Sequence, residues 1–459
     1  MPCWRPEFLL LLALTLLLLR LARGATGRKL ALTLAGLYFY SWWDLRFLPL
    51  LAGLALADWA LALCMERTRA ATGRKGCFLA GLGLHLGALA FFKYADFFLT
   101  APVGSTLWLI MPLGLSFQTF SAITYLAAVN TGRMAARKNP LDVLCFATFF
   151  PVLSAGPIVR AEELLPQLDA LPAPGAEALY DGFRRFSMGV FKKLVLADRL
   201  GLYVAEVYGN AGAYDTASTW AAALAYALQL YLDFSGYSDM AIGAGRMLGV
   251  RLPENFRFPY AARNPADFWR RWHLSLSSWI RDFLYIPLGG NRLGEGRTLA
   301  NLMVTMVLCG IWHGVGWTFV IWGAAHGLGL CLHRLWRNRR GRRGAAPASG
   351  LLAWAACTSF TALCWVPFRA QGLEHLGRIV RALFGGGGPV HWIHPFVWFA
   401  FALTALAHLL HARGAEDHLL LRPVNGRAPW YAPAVLLSLV WLSVLFATEG
   451  FQPFLSARF

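Results

Sequence analysis

Hydrophobic residues in this chain gather into long runs separated by short polar turns. Thr106 to Val129 and Pro429 to Thr448 carry no charge, and Phe47 to Met65 carries only Asp58. A helix of about 20 apolar residues covers the roughly 30 Å of a bilayer's hydrocarbon. The recurrence of such runs predicts an all-α polytopic membrane protein with about ten to twelve transmembrane helices. No polar block is long enough to form a soluble domain, so residues 1–459 read as one membrane domain.

Several segments depart from the plain pattern. Met111 to Leu126 sets Ser116, Gln118, Thr119, Ser121 and Thr124 in an apolar helix. Either a wet cavity or helix packing through small polar side chains accounts for them. Val143 to Val159 contains Pro151, Gly156 and Pro157, which break a straight helix and predict a re-entrant segment beside a cavity. After a polar interlude from Arg160 to Ala178, basic and apolar residues alternate at helical spacing. Arg184, Arg185, Lys192 and Lys193 are expected on the polar side of an interfacial helix, with Phe183, Phe186, Phe191 and Leu194 on the other. The span from Trp220 to Phe234 ends near Asp233 and Asp239, costly charges at membrane depth unless paired; an arginine of the bundle is the expected partner of Asp233. The first run, Phe8 to Leu19, has its basic flank after it and lacks a small-residue cleavage site, so it reads as a retained span and not a signal peptide.

Composition supports the membrane reading. Hydrophobic residues make up 57% of the chain and charged residues 14%, against about 25% charged in soluble domains. The net charge of +18 invites a nucleic-acid reading, which the placement of the charges opposes. Arg20, Arg23, Arg28 and Lys29 form one cluster, Arg67, Arg69, Arg74 and Lys75 the next, and Arg133, Arg137 and Lys138 a third. Asp44 to Arg46 and Ala101 to Ser105, between them, are nearly neutral. A basic cluster after every second span is the positive-inside pattern, which puts the N-terminus outside and the basic loops in the cytoplasm. The eight cysteines are scattered and include no CxxC pair, so they read as small buried hydrophobes.

The densest chemistry lies between Phe258 and Gly316: FPYAARNPADFWRRWHLSLSSWIRDFLYIPLGGNR, then an apolar run ending in CGIWHGVG. From Leu299 that run reaches His313 in about 14 residues, or about 21 Å, too short to cross. The next run, Trp317 to Leu332, returns toward the basic HRLWRNRRGRR. His313 is therefore expected near the tip of an intramembrane hairpin, flanked by Gly310, Gly314 and Gly316. A histidine with an ordinary pKa near 6.5 can take a proton from a hydroxyl and later release it; a core histidine bonded to a carbonyl is the bland alternative.

YLDFSGYSDMAIG, RLPENFRFPYAARNPADFWRRWHLSLSSWIRDFLYIPLGGNR and GIWHGVGWTFVIWGAAHG, together with LYFYSWWDLRF, MPLGLSFQTF, FFPVLSAGPIVR and GVFKKLVLADRL upstream and CWVPFRA downstream, resemble the membrane-bound O-acyltransferase superfamily, in particular its bacterial alginate O-acetylase branch. FFPVLSAGP leans toward the teichoic-acid D-alanylation branch. The resemblance implies a central funnel or tunnel with re-entrant and interfacial helices, residues 258–333 as catalytic core, and His313 as the catalytic histidine. It also implies His273 as the second polar residue of the site, either donating a hydrogen bond to the acyl carbonyl or acceptor, or bonding structurally beneath them. Arg270, Arg271 and Arg281 are candidates for donor phosphates, although Asp267 and Arg271 also form a plain i,i+4 pair. His326 is a lesser candidate for the same cavity, and the remaining histidines, His85 among them, look incidental.

Acetyl-CoA or another acyl thioester is the expected donor, with no tightly bound cofactor. No metal is expected either, since HExxH, paired cysteines and a carboxylate cage are absent, and no GxSxG elbow points to a serine acyl-enzyme. The implied partners are the lipid bilayer, a periplasmic acetyltransferase and exopolysaccharide machinery, in the bacterial inner membrane. Rival readings are D-alanyl transfer to teichoic acid, a lipid or small-molecule acyltransferase, and a non-enzymatic transporter. The charge pattern has a direct test: a periplasm-dependent phosphatase fused after Ser105 should be active and one fused after Lys138 inactive, and the reverse result would invert the topology.

Overall fold

The computed structural model describes residues 2–68, 70–98, 111–343, 350–413 and 431–447. The loop at Ala101–Ser105, Arg69, His418 and the outer ends of the two uncharged runs lie outside the described residues. Every regular element described is a helix, and the β contact recorded is an isolated bridge between Tyr214 and Val390. The expected all-α class holds. Four described helices combine the length and apolar composition needed to cross a membrane: Leu45–Arg67, Ala71–Tyr94, Gly350–Arg369 and Pro395–Ala412.

The helix α1 (Pro6–Leu21) shows why these sequences lack a polar face. It buries Phe8, Leu11, Leu12 and Leu19 while leaving Leu10, Leu14, Leu17 and Leu21 exposed. A helix apolar on both its packed and its open side belongs against lipid.

The chain divides into two compact units, Met1–Ser187 with Tyr237–Pro253 and Met188–Gly236 with Glu254–Phe459. In the first, α1 is followed by α2 (Gly24–Ser41), α3 (Leu48–Arg67), α4 (Ala71–Phe98), α5 (Leu115–Asn130), α6 (Pro140–Ala147), α7 (Phe150–Leu153), α8 (Ala161–Asp169) and α9 (Ala176–Phe191), which runs on past the end of this unit. Basic residues from the expected cytoplasmic loops tie it together. Lys29 bonds Asp142 at 2.6 Å and Asp169 at 2.5 Å, and Arg137 reaches Asp169 at 2.6 Å. Asp58 on α3 accepts from or shares a proton with His85 on α4 across 2.8 Å, and both are buried. His85, incidental in the sequence, is thus the partner that makes a carboxylate tolerable there. Gln118 and Ser121 line a small cavity of about 30 Å³ with Asp58 and Tyr125, while Ser116 and Thr119 are packed away. The polar face of α5 is thus divided between a small cavity and the packed interior. The proline-rich segment is broken as expected: α6 has 8 residues and α7 has 4, neither long enough to cross.

The interfacial reading of α9 needs correction. Arg184 is buried and bonds Asp181 at 3.1 Å, and Arg185 bonds Asp239 at 2.5 Å. Phe186 is buried against Phe8, whereas Phe183 is exposed. Helical spacing showed which residues share a face but not that the charged face turns toward acidic partners.

The second unit contains a π-helical turn, Lys192–Ala197, then α10 (Asp198–Gly209), the first part of α11 (Thr216–Met247), α12 (Pro265–Trp269), α13 (Leu274–Ile280), α14 (Gly294–His313), α15 (Trp317–Arg343), α16 (Gly350–Arg369), α17 (Leu373–Leu383), α18 (Pro395–Ala412) and α19 (Ala432–Leu445). Asp233 pairs with Lys193 at 2.8 Å, a lysine where an arginine was expected, and Lys193 also holds Asp198 at 2.7 Å. All three are buried. Lys193→Met strands two carboxylates in the interior, a loss of about 3–5 kcal/mol by analogy with broken buried pairs. It should lower the thermal midpoint sharply in detergent, and adding Asp198→Asn and Asp233→Asn should recover much of the loss.

Candidate active site

The arms of the α14–α15 hairpin approach at backbone distance. A Cβ at Gly310 would run into the carbonyl oxygen of Phe319, and one at Gly323 into that of Met306. Glycine at these positions is what lets the helices close. The first arm is longer than the sequence suggested: α14 begins at Gly294 and has 20 residues, or about 30 Å. The extra turn precedes the apolar run and is secured by Thr298 Oγ1 donating to the Gly294 carbonyl at 2.8 Å. That turn carries Glu295 and Arg297, so the apolar part of the arm is still the short run from Leu299 and α14 is not among the helices apolar enough to cross. His313 is the last residue of α14, and Gly314 follows in extended conformation.

His313 is half-buried among aromatic rings. Its ring centroid lies 4.6 Å from that of Trp312, 4.9 Å from Trp322 and 5.1 Å from Phe368, the last two edge to face. Trp322 also meets His326 at 5.1 Å. The structure thus brings together His313 and His326, the lesser candidate, through one shared indole.

His273 is built into a different part of the same unit. It caps α13 at φ 45°, a left-handed conformation rare for a side chain of this size. Asn255, fully buried, holds the turn: its backbone carbonyl accepts from Leu274 N–H at 2.9 Å, and its Oδ1 accepts from Ser275 Oγ at 2.9 Å and from His273 Nδ1 at 2.9 Å. The Ser275 backbone N–H also reaches Oδ1 at 3.4 Å, and a backbone amide only donates, which identifies this atom as the oxygen. Nδ1 therefore carries the proton, and Nε2 of the neutral ring keeps its lone pair. So arranged, His273 offers an acceptor at Nε2 instead of the donor the sequence suggested. Its ring packs edge-on against Phe234 at 4.6 Å. Between the two histidines runs a chain of rings, Phe256, Trp272, Trp365 and Trp322. Asn255 escaped notice in the sequence because nothing in its spacing distinguishes it from any other loop asparagine.

The three arginines diverge. Arg271 makes the expected pair with Asp267 at 3.1 Å, Arg281 is exposed and bonds Asp282 at 2.8 Å, and Arg270 is exposed, acting electrostatically on His333 together with Arg337. No group of three metal-ligating side chains occurs among the described residues.

Comparison with known proteins fits this geometry. The model of the MBOAT, membrane-bound O-acyltransferase family matches residues 114–344, which include both histidines and the whole hairpin. The chain belongs to the membrane-bound O-acyltransferase family. It is a multi-pass membrane O-acyltransferase, and the transporter reading falls away. The acyltransferase is 37% identical over 404 residues to a peptidoglycan O-acetyltransferase of Helicobacter pylori, covering 80% of this chain and 76% of that protein. It is 38% identical over 379 residues to the probable alginate O-acetylase AlgI of Pseudomonas putida, covering 79% and 76%. A teichoic acid D-alanyltransferase of Streptococcus thermophilus matches at 29% over 253 residues, covering 52% and 60%.

Burial drives the pKa of His273 down to about 3. The unfolded chain takes up a proton near the ordinary histidine value of about 6.5 that the folded protein refuses, so this stabilising contribution is complete above that pH and is lost as the pH falls through it toward 3. Stability of the acyltransferase should decline from pH 6.5 to 4 with a slope of up to about 1.4 kcal/mol per pH unit from this group. His273→Gln should flatten that slope in thermal-shift measurements across the range, and an unchanged slope would mean that the ring is already protonated in the folded state.

Proposed function

We propose that this acyltransferase carries acetyl groups from a cytoplasmic thioester, acetyl-CoA or another acyl carrier, toward an extracytoplasmic polysaccharide such as alginate or a similar exopolysaccharide. The observation that supports this most is the similarity to O-acetylases of glycans over some four-fifths of the chain, together with a histidine at the closed end of a hairpin. Residues 258–333 are read as the catalytic core. The protein would lie in the bacterial cytoplasmic membrane with its N-terminus outside, so that donor and acceptor approach from opposite sides. A periplasmic acetyltransferase that takes over the acetyl group is the natural partner.

His313 acts as general base. Its imidazole takes the proton of the acceptor hydroxyl as the oxygen attacks the acyl carbon. The carbon–oxygen ester bond forms, the carbon–sulfur bond breaks, and the proton passes to the departing thiolate. The acetyl group crosses while its carrier stays behind. His273, with its Nε2 lone pair, is assigned to orienting the acceptor hydroxyl. Arg270 and Arg271 supply positive charge for a phosphate-bearing donor, and Arg281 a further cation at the entrance.

A second reading has its own support: the Helicobacter pylori relative acts on peptidoglycan and matches the chain as well as the alginate relatives do. Lower overlap with the D-alanyltransferase sets teichoic acid behind both. His313→Ala should lower O-acetylation by roughly 10²–10⁴-fold with normal protein levels in the membrane. Base-released acetate, measured separately from exopolysaccharide and from purified peptidoglycan, identifies the acceptor; acetylation that persists in both fractions of the variant would overturn the mechanism.

A further inference from the structure

Next to His313 the second unit buries four nitrogen atoms that have no hydrogen-bond partner: Nε1 of Trp269, Nε1 of Trp322, and both ring nitrogens of His326. They belong to three rings in mutual contact. Trp269 and Trp322 lie 6.0 Å apart between centroids, and each lies 5.1 Å from His326. His326 is 1% exposed and Trp322 is 0% exposed, so bulk water does not satisfy them. Phe268, Phe360 and Trp365 enclose His326 on its other sides.

Packing alone does not account for this triangle. Phenylalanine at each position would fill much the same space and strand no polar atom, whereas buried polar groups are normally paired. Four unpaired nitrogens in one cluster describe a site whose partners arrive with a guest.

The chemistry of the triangle restricts that guest. An indole N–H only donates, and a neutral imidazole donates at one nitrogen and accepts at the other. None of the three rings bears a carboxylate or a permanent positive charge, so a phosphate or ammonium group would be left without a counter-ion in a dry setting. A secondary amide answers three of the four nitrogens: its carbonyl oxygen has a lone pair for each indole N–H, and its own N–H meets the acceptor nitrogen of His326, which leaves the His326 N–H to another oxygen of the guest. The location matches too. Trp322 touches His313 on one side and His326 on the other, so the triangle begins one ring away from the proposed base. In a thioester built on a cysteamine arm, the first amide stands only two methylenes beyond the sulfur.

We propose that Trp269, Trp322 and His326 grip the first amide of the donor's cysteamine arm and so hold the thioester carbonyl at His313. The inference rests on the thioester-donor reading above. It gives Trp269 and Trp322 a donor-binding role not singled out in the sequence and assigns a specific one to His326.

Two unreactive thioethers separate binding from turnover. S-ethyl-N-acetylcysteamine carries the amide; ethyl pentyl sulfide has the same chain length without it. Titrated calorimetrically into the purified full chain in nanodiscs, the amide probe should bind at least about tenfold more tightly than the alkyl probe, the return on two or three neutral hydrogen bonds. Trp269→Phe, Trp322→Phe and His326→Phe should each reduce that preference while leaving the alkyl probe's affinity within about twofold. Equal affinity of the wild-type protein for the two probes, failure to bind either, or a preference unchanged in all three variants overturns the subsite. Because the O-acetylation assay on His313→Ala uses the native donor, the subsite can fail while the acyltransfer mechanism stands, and the reverse.

Discussion

A polar group inside a protein bathed in lipid has no water to turn to, and the arrangement of this acyltransferase follows from that constraint. Where the chain buries a charge it also buries the answer to it: His85 beside Asp58, and Lys193 between Asp198 and Asp233. Where it bends the backbone away from a regular helix, as at His273, one asparagine gathers the loose donors on a single oxygen and on its carbonyl. Each knot is local, and each fixes the relation between segments far apart in sequence.

Against this background the two histidines of the candidate site differ. His273 is pinned at Nδ1 and neutral, which suits a group that must keep one orientation. His313, by contrast, stands half-buried at a helix end among aromatic rings. The aromatic run between them excludes water without supplying charges, and in such a setting the few available hydrogen-bonding atoms determine how a substrate lies.

The parts of this organisation written plainly in the sequence were those set by composition and length. Uncharged runs predicted helices, three prolines and glycines predicted the broken segment at α6 and α7, and the WHG stretch predicted the hairpin tip. What escaped were pairings between distant positions. Nothing near Asp233 pointed to Lys193, because the π-helical turn that carries Lys193 is a three-dimensional event; charge alone suggested an arginine. The basic face of α9 was recognised as a face, yet its direction depended on Asp181 and Asp239. The start of α14 at Gly294 was missed because polar residues that open a helix do not register in an apolar window. Of the candidate site, His313 and His273 were identified by motif, whereas Asn255 was visible only through its hydrogen bonds.

The glycines of the hairpin have a mechanical consequence. With Gly310 seated on Phe319 and Gly323 on Met306, α14 and α15 are in backbone contact, and neither can slide or part without opening a void along the seam. The pair behaves as a fixed post. On the other side of His313 and Trp322 the contact is of another kind: α16 contributes Phe368 and Trp365 as side chains alone, so that wall can repack without opening a backbone seam.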